Sequence, residues 1–171
     1  MNTNKKQELN PQIIWEMLAE LKESVEKTNQ AVNGIGSSIG ANTEEMILDA
    51  VKSDMTFAGI KFDEIFPNLH GISPERNLEA EFDIVLKNGN TIALIETKHR
   101  YKRKDVNNFL TKKLNDFKLI FKEYSKYKII LGIGGAGFEK KAIETAKENG
   151  IAIIKIKNDK IEYFTDNIKT F

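Results

Sequence analysis

The 171-residue chain has no cysteine, which removes disulfides, thiolate zinc sites and cysteine nucleophiles from consideration. Histidine is nearly as scarce: His70 and His99 are the only two, too few for a multi-histidine metal site. No apolar run approaches the ~20 residues that a membrane-spanning helix needs. Met1 to Asn10 is polar and lacks the apolar stretch of a secretory signal, so a cytoplasmic protein is expected. Nor is there an excess of one charge. Lys and Arg number 26 against 25 Asp and Glu, so any attraction for nucleic acid must be local. What is present, 40% hydrophobic and 30% charged residues, suits one globular domain with an appendage.

The appendage is N-terminal. Ile14, Leu18, Leu21, Val25, Thr28, Val32, Ile35 and Ile39 are spaced alternately four and three apart, an unbroken heptad seam over residues 12–39. Glu16, Glu20, Lys22, Glu23, Glu26 and Lys27 lie off the seam. So narrow a stripe predicts a coiled coil, and branched Val25, Val32 and Ile39 at one core position favour a parallel homodimer. An amphipathic helix docked on its own domain would carry the same stripe. Gly34, Gly36 and Gly40 each cost about 1 kcal/mol in a helix interior, so residues 34–41 read as a fraying end or hinge. A separate helix then spans 42–56, with Asn42 and Glu45 as a capping box. Ile47, Ala50 and Val51 form its buried face, and Glu44 points inward with them.

The remaining elements alternate. Residues 57–80 read as an irregular connection with a short strand near Ile60 and Phe62, followed by a hairpin at 81–98. A long amphipathic helix is expected over 105–125, a buried strand at 127–133 and a helix from Phe138 to Asn149 with Gly150 as its C-cap. A strand at 151–156, a KNDK turn and an edge strand at 161–164 complete the chain. Strand, helix, strand calls for a right-handed crossover and a parallel pair. The expected fold class is α/β, a mixed β-sheet with helices on both faces.

The chemistry gathers on the hairpin, EFDIVLKNGNTIALIETKHR from Glu81 to Arg100. Asn-Gly between apolar-rich runs is a strong hairpin signal, because both residues accept positive φ. With Asn88-Gly89 as a two-residue loop, Leu86 faces Thr91, Val85 faces Ile92 and Asp83 faces Leu94. Alternation then puts Asp83, Leu94, Glu96 and Lys98 on one face. A three-residue loop would split them across both faces. Two carboxylates are hard oxygen ligands for Mg2+ (or Mn2+), and such an ion polarises a phosphoryl oxygen and lowers the pKa of bound water. Lys98 is placed to position the attacking water or to neutralise developing charge. The bland reading makes Glu96 and Lys98 the exposed end of a strand. Against it, Ile92–Ile95 reads as buried on both faces, and charge in its continuation is costly without a partner.

Directly after the hairpin, Arg100, Tyr101, Lys102, Arg103 and Lys104 are candidate contacts to a phosphate backbone. Tyr101 can stack on a base or pack internally, and Lys112 and Lys113 extend the basic surface. Gly132, Gly134, Gly135 and Gly137 satisfy a dinucleotide-binding glycine pattern, with Asp159 about twenty residues on. Lys157 and Asn158 occupy the place of the ribose-binding acid, however, and too few strands follow. Those glycines are better explained by a tight turn and close helix packing.

Asp83, then Glu96-Thr97-Lys98 on a hairpin, resembles the PD-(D/E)XK, or restriction-endonuclease-like, nuclease superfamily, over roughly residues 40–165. Phe82 stands where the family name has proline. The resemblance implies a restriction-endonuclease-like core in which the Thr97 backbone carbonyl is a third metal ligand. It further implies a glutamate on the first core helix that completes the site. Glu44 fits that place, since capping accounts for Glu45. Hydrolysis would leave a 5′-phosphate. The expectation is therefore a metal-dependent endonuclease acting on DNA as a dimer, with residues 1–40 as coiled-coil helix and hinge and 41–171 as the nuclease-like domain. The alternative is a non-catalytic module whose stalk dimerises and whose body binds nucleic acid or protein.

Overall fold

The computed structural model describes residues 10–158 and 160–171, with the backbone alone for Ser37. The chain divides into two compact units, Met1–Ile39 and Gly40–Phe171. Helix α1 runs without interruption from Pro11 to Asp54. This corrects two expectations: residues 34–41 are helical rather than a fraying end, and Asn42 lies inside a helix rather than capping one. Three interior glycines weaken a helix without ending it, and none of Gly34, Gly36 or Gly40 takes the positive φ that a helix stop uses.

In the second unit a mixed sheet has the strand order β10-β9-β7-β5-β4-β3. Its strands are β3 (Glu64–Ser73), β4 (Leu78–Asn88), β5 (Thr91–Thr97), β7 (Lys128–Gly135), β9 (Ala152–Lys157) and β10 (Lys160–Phe164). Two small pairs stand apart, β1 (Thr56–Phe57) with β2 (Ile60–Lys61) and β6 (Arg100–Tyr101) with β8 (Gly137–Phe138). β3, β4 and β5 form an antiparallel meander, whereas β5, β7 and β9 are parallel. The ten-residue β3 occupies the middle of the irregular connection expected at 57–80. It is an edge strand, where Pro67 removes a donor that no neighbour needs.

The hairpin turn is Gly89-Asn90, one residue later than the Asn-Gly pair suggests. Only Gly89 takes a left-handed φ, 54°, as the first position of a type II′ turn requires. Leu86 therefore pairs with Ala93 and Val85 with Leu94. Each partner moves by two residues, an even step, so the paired side chains from Ile84 to Asn88 and from Thr91 to Ile95 keep their expected faces.

Both faces of the sheet are covered. On one, Val85, Ile92, Leu94, Ile129, Leu131 and Ile133 pack with Val106, Phe109 and Phe117, and with Ala142 and Ala146 of helix α4 (Lys140–Glu148). On the other, Ile84, Leu86, Ala93 and Ile95 pack with Ile47 and Val51 of α1, both fully buried. Complete burial of such a side chain contributes on the order of 2 kcal/mol. The helix expected at 105–125 is instead α2 (Arg103–Asn108), a π-helical turn at Phe109–Lys113, α3 (Leu114–Ile120) and a 3-10 turn at Lys122–Tyr124. Gly132, Gly134 and Gly135 lie within β7, not in a phosphate-cradling loop. A Cβ at Gly134 would strike Ile47, and one at Gly135 the Lys98 carbonyl, so close packing is their function. Asp159 lies outside the described residues. Among the described residues no helix is long and apolar enough to cross a membrane.

Candidate active site

The site forms where β4 and β5 part company. Their pairing runs from Asn88↔Thr91 to Ile84↔Ile95 and stops before Asp83. Phe82 and Val85 face the same cluster although three residues apart, so β4 rotates locally at Asp83. The Asp83 carboxylate turns to β5: its Oδ2 accepts from the Thr97 amide at 2.6 Å and the Thr97 hydroxyl at 2.9 Å. A side chain thus takes over where the backbone ladder ends.

Glu96 lies one residue back on β5, its side chain only 13% exposed. Burial first, and then the charge of Asp83, push its pKa up to about 7, against the opposing pull of Lys113 and Lys98. Its Oε2 accepts a 2.8 Å bond from the Lys113 ammonium. Lys113 also donates to the Glu81 carbonyl at 2.6 Å and sits 5.5 Å from the centroid of the Phe82 ring. The wide π-helical turn ends at Lys113, and such an insertion re-aims side chains around the helix axis.

Lys98 follows the end of β5, with its amide bonded to the Gly134 carbonyl at 2.9 Å. Its side chain is 46% exposed, and the ammonium pairs with Asp105 at 3.3 Å. Asp105 also accepts from the Lys102 amide at 2.9 Å, closing the first turn of α2. Burial raises the Asp105 pKa, but the Lys102 amide and then Lys98 outweigh it and hold the carboxyl below its ordinary value.

Glu44 approaches from α1, one turn before Ile47. Its pKa is raised by partial burial and then by Asp83, with a smaller push from Glu81, while a hydrogen bond from the Asn68 side chain lowers it. Asp83 is therefore the electrostatic neighbour of both glutamates. Glu45 is exposed.

The basic stretch separates into two kinds of residue. Arg100, Lys102, Arg103 and Lys104 are exposed, the last two in the first turn of α2. Tyr101 is not a surface residue, which corrects its place among the candidate nucleic-acid contacts. It is fully buried, stacks on Phe138 with centroids 5.3 Å apart, and donates its hydroxyl to the Glu96 carbonyl at 2.8 Å. Burial, then the charges of Glu96, Asp83 and Asp105, hold that phenol well above its usual pKa. Its role is to fix the Glu96 backbone.

Two residues of the site had no sequence signal for the places they take. Lys113 reads as one more lysine on a basic helix, and Asn68 as part of a loop. Among the described residues no group of three or more His, Cys, Asp or Glu side chains forms a ready-made metal site. Asp83 Oδ2 is engaged by Thr97, and Glu96 Oε2 by Lys113. The oxygen chemistry nevertheless suits a hard divalent cation, which would relieve the repulsion that raises Glu96. The chain matches no protein-family model, no curated protein and no solved structure in comparisons with each.

Proposed function

We propose that the protein is a metal-dependent endonuclease of the restriction-endonuclease-like class, hydrolysing DNA phosphodiesters as a dimer joined through residues 12–39. The observation that carries this reading is the electrostatic coupling of Asp83 to a buried Glu96 at the point where β4 and β5 separate. Asp83, Glu96 and the Thr97 carbonyl would hold Mg2+ or Mn2+. Such an ion, when bound, supplies Lewis-acid polarisation of the phosphate and a lowered pKa for its water.

The protein's own groups do the rest. Lys98 is exposed and held loosely by Asp105, so it can turn to the phosphate and stabilise charge that develops there. Lys113, anchored at the Glu81 carbonyl, keeps Glu96 oriented. Glu44 adds negative charge beside Asp83. Arg100, Lys102, Arg103 and Lys104 provide exposed cations beyond Lys98 for a sequence-independent grip on the backbone. The heptad residues of α1 favour the dimer: Leu21 is 59% exposed and Val25 50%.

Nicking of supercoiled DNA tests the reading. Wild-type protein should cut with Mg2+ or Mn2+ and stop with chelator, and Asp83→Ala or Lys98→Ala should lose at least about 100-fold in rate. DNA binding without cleavage by pure wild-type protein would instead favour a non-catalytic binding module.

A further inference from the structure

We propose that Asn68 is a positioning residue of this site, opening the β3–β4 ladder opposite Asp83 and holding Glu44 beside it. The inference rests on the hydrolytic reading above and adds to it a residue on a different strand.

The β3–β4 register is continuous, with Pro67↔Ile84 on one side of the gap and Leu69↔Phe82 on the other. The single pair missing between them is Asn68 with Asp83. Since β4–β5 pairing also stops at Ile84, Asp83 has no ladder partner on either side among the described residues. Asn68 sits there with φ of 49°, a left-handed backbone in the middle of a ten-residue strand. That conformation is unfavourable for an ordinary residue, and asparagine tolerates it better than most. A strand that only needed to pair would not keep it. The left-handed step removes the β3 partner that would hold Asp83 in the pleat, leaving its carboxylate to reach Thr97. The Asn68 side chain meanwhile hydrogen-bonds Glu44, an acid that also feels the charge of Asp83. One residue thus sets the backbone of one acid and the side chain of another. Asn68 is itself exposed, so packing does not account for it.

Two variants separate the backbone from the side chain. Asn68→Gly keeps the left-handed conformation and deletes the amide; Asn68→Asp tolerates it too but has no N–H to donate. Both should melt within a few degrees of wild type. Each should lose about 10–100-fold in kcat for nicking and in affinity for Mn2+ by calorimetry, with KM for DNA unchanged. If the side chain acts through Glu44, Asn68→Gly should add less than about twofold in a Glu44→Gln background. Variants that cut and bind Mn2+ like wild type would overturn the inference while the hydrolytic reading stood. So would a change in KM alone, or a full additional loss in the Glu44→Gln background. Wild-type protein that neither binds Mn2+ nor cuts would overturn both.

Discussion

Glu96 combines burial with a negative neighbour, and that combination has a thermodynamic sign. Its carboxyl titrates near 7 in the fold against an ordinary value of 4.5. Between those values the native state binds more protons than the unfolded chain, so this group's effect on stability falls as pH rises from about 4.5 through 7. Asp83 destabilises the ionised form, Lys113 and Lys98 offset part of that, and burial exceeds each. Glu96→Gln carries no such penalty. In chelator, its stability relative to wild type should improve by roughly 1–3 kcal/mol between pH 5 and pH 8. Denaturant melts at the two pH values measure this, and a difference that does not move with pH would contradict the environment described for Glu96. Glu96 was legible as a hairpin side chain because alternation along a paired strand is fixed by covalent geometry, whereas the local rotation of β4 at Asp83 was not. Lys113 was not legible as their partner, since its position depends on how a helix docks and on one π-helical turn. Asn68 left no trace, because a single left-handed residue inside a strand has no periodic signature.

At the scale of elements, apolar periodicity located most helices and strands, and the errors have local causes. The turn slipped from Asn88-Gly89 to Gly89-Asn90, yet parity kept the paired residues Ile84 to Asn88 on their expected faces; Asp83 lies beyond the last pair, where β4 rotates. Strand β3 was read as a loop because Pro67 and Gly71 break its pattern, both tolerable at a sheet edge. The glycines of α1 suggest a fraying end or hinge, yet the helix continues through them. The heptad seam of the same helix is exposed: Leu18, Leu21, Val25, Val32, Ile35 and Ile39 all present apolar surface. In the dimer proposed above, that row would be buried against a second copy. Leu21→Lys with Val25→Glu should yield monomers in sedimentation velocity where wild type runs as a dimer. An unchanged mass would remove the stalk-mediated dimer and leave the active-site proposal untouched.

For the molecule as a whole, topology decides where chemistry can occur. An antiparallel meander joins a parallel set at β5, the strand shared by both. β5 is buried along Ile92–Ile95 and delivers Glu96, Thr97 and Lys98 at its C-terminal end, where ligands of open α/β sheets gather. Gly134 of β7 lets Ile47 pack tightly on that strand, which brings α1, and with it Glu44, close to Asp83. The near-neutral net charge confines any hold on a polyanion to the exposed cations after β5. All of this turns on Asp83 and Glu96 sharing one divalent ion. An anomalous difference map from crystals containing Mn2+ measures that directly. The expected result is a single strong peak bonded at roughly 2 Å to both carboxylates and to the Thr97 carbonyl. Manganese bound only elsewhere, with Asp83 still on Thr97 and Glu96 still on Lys113, would contradict it.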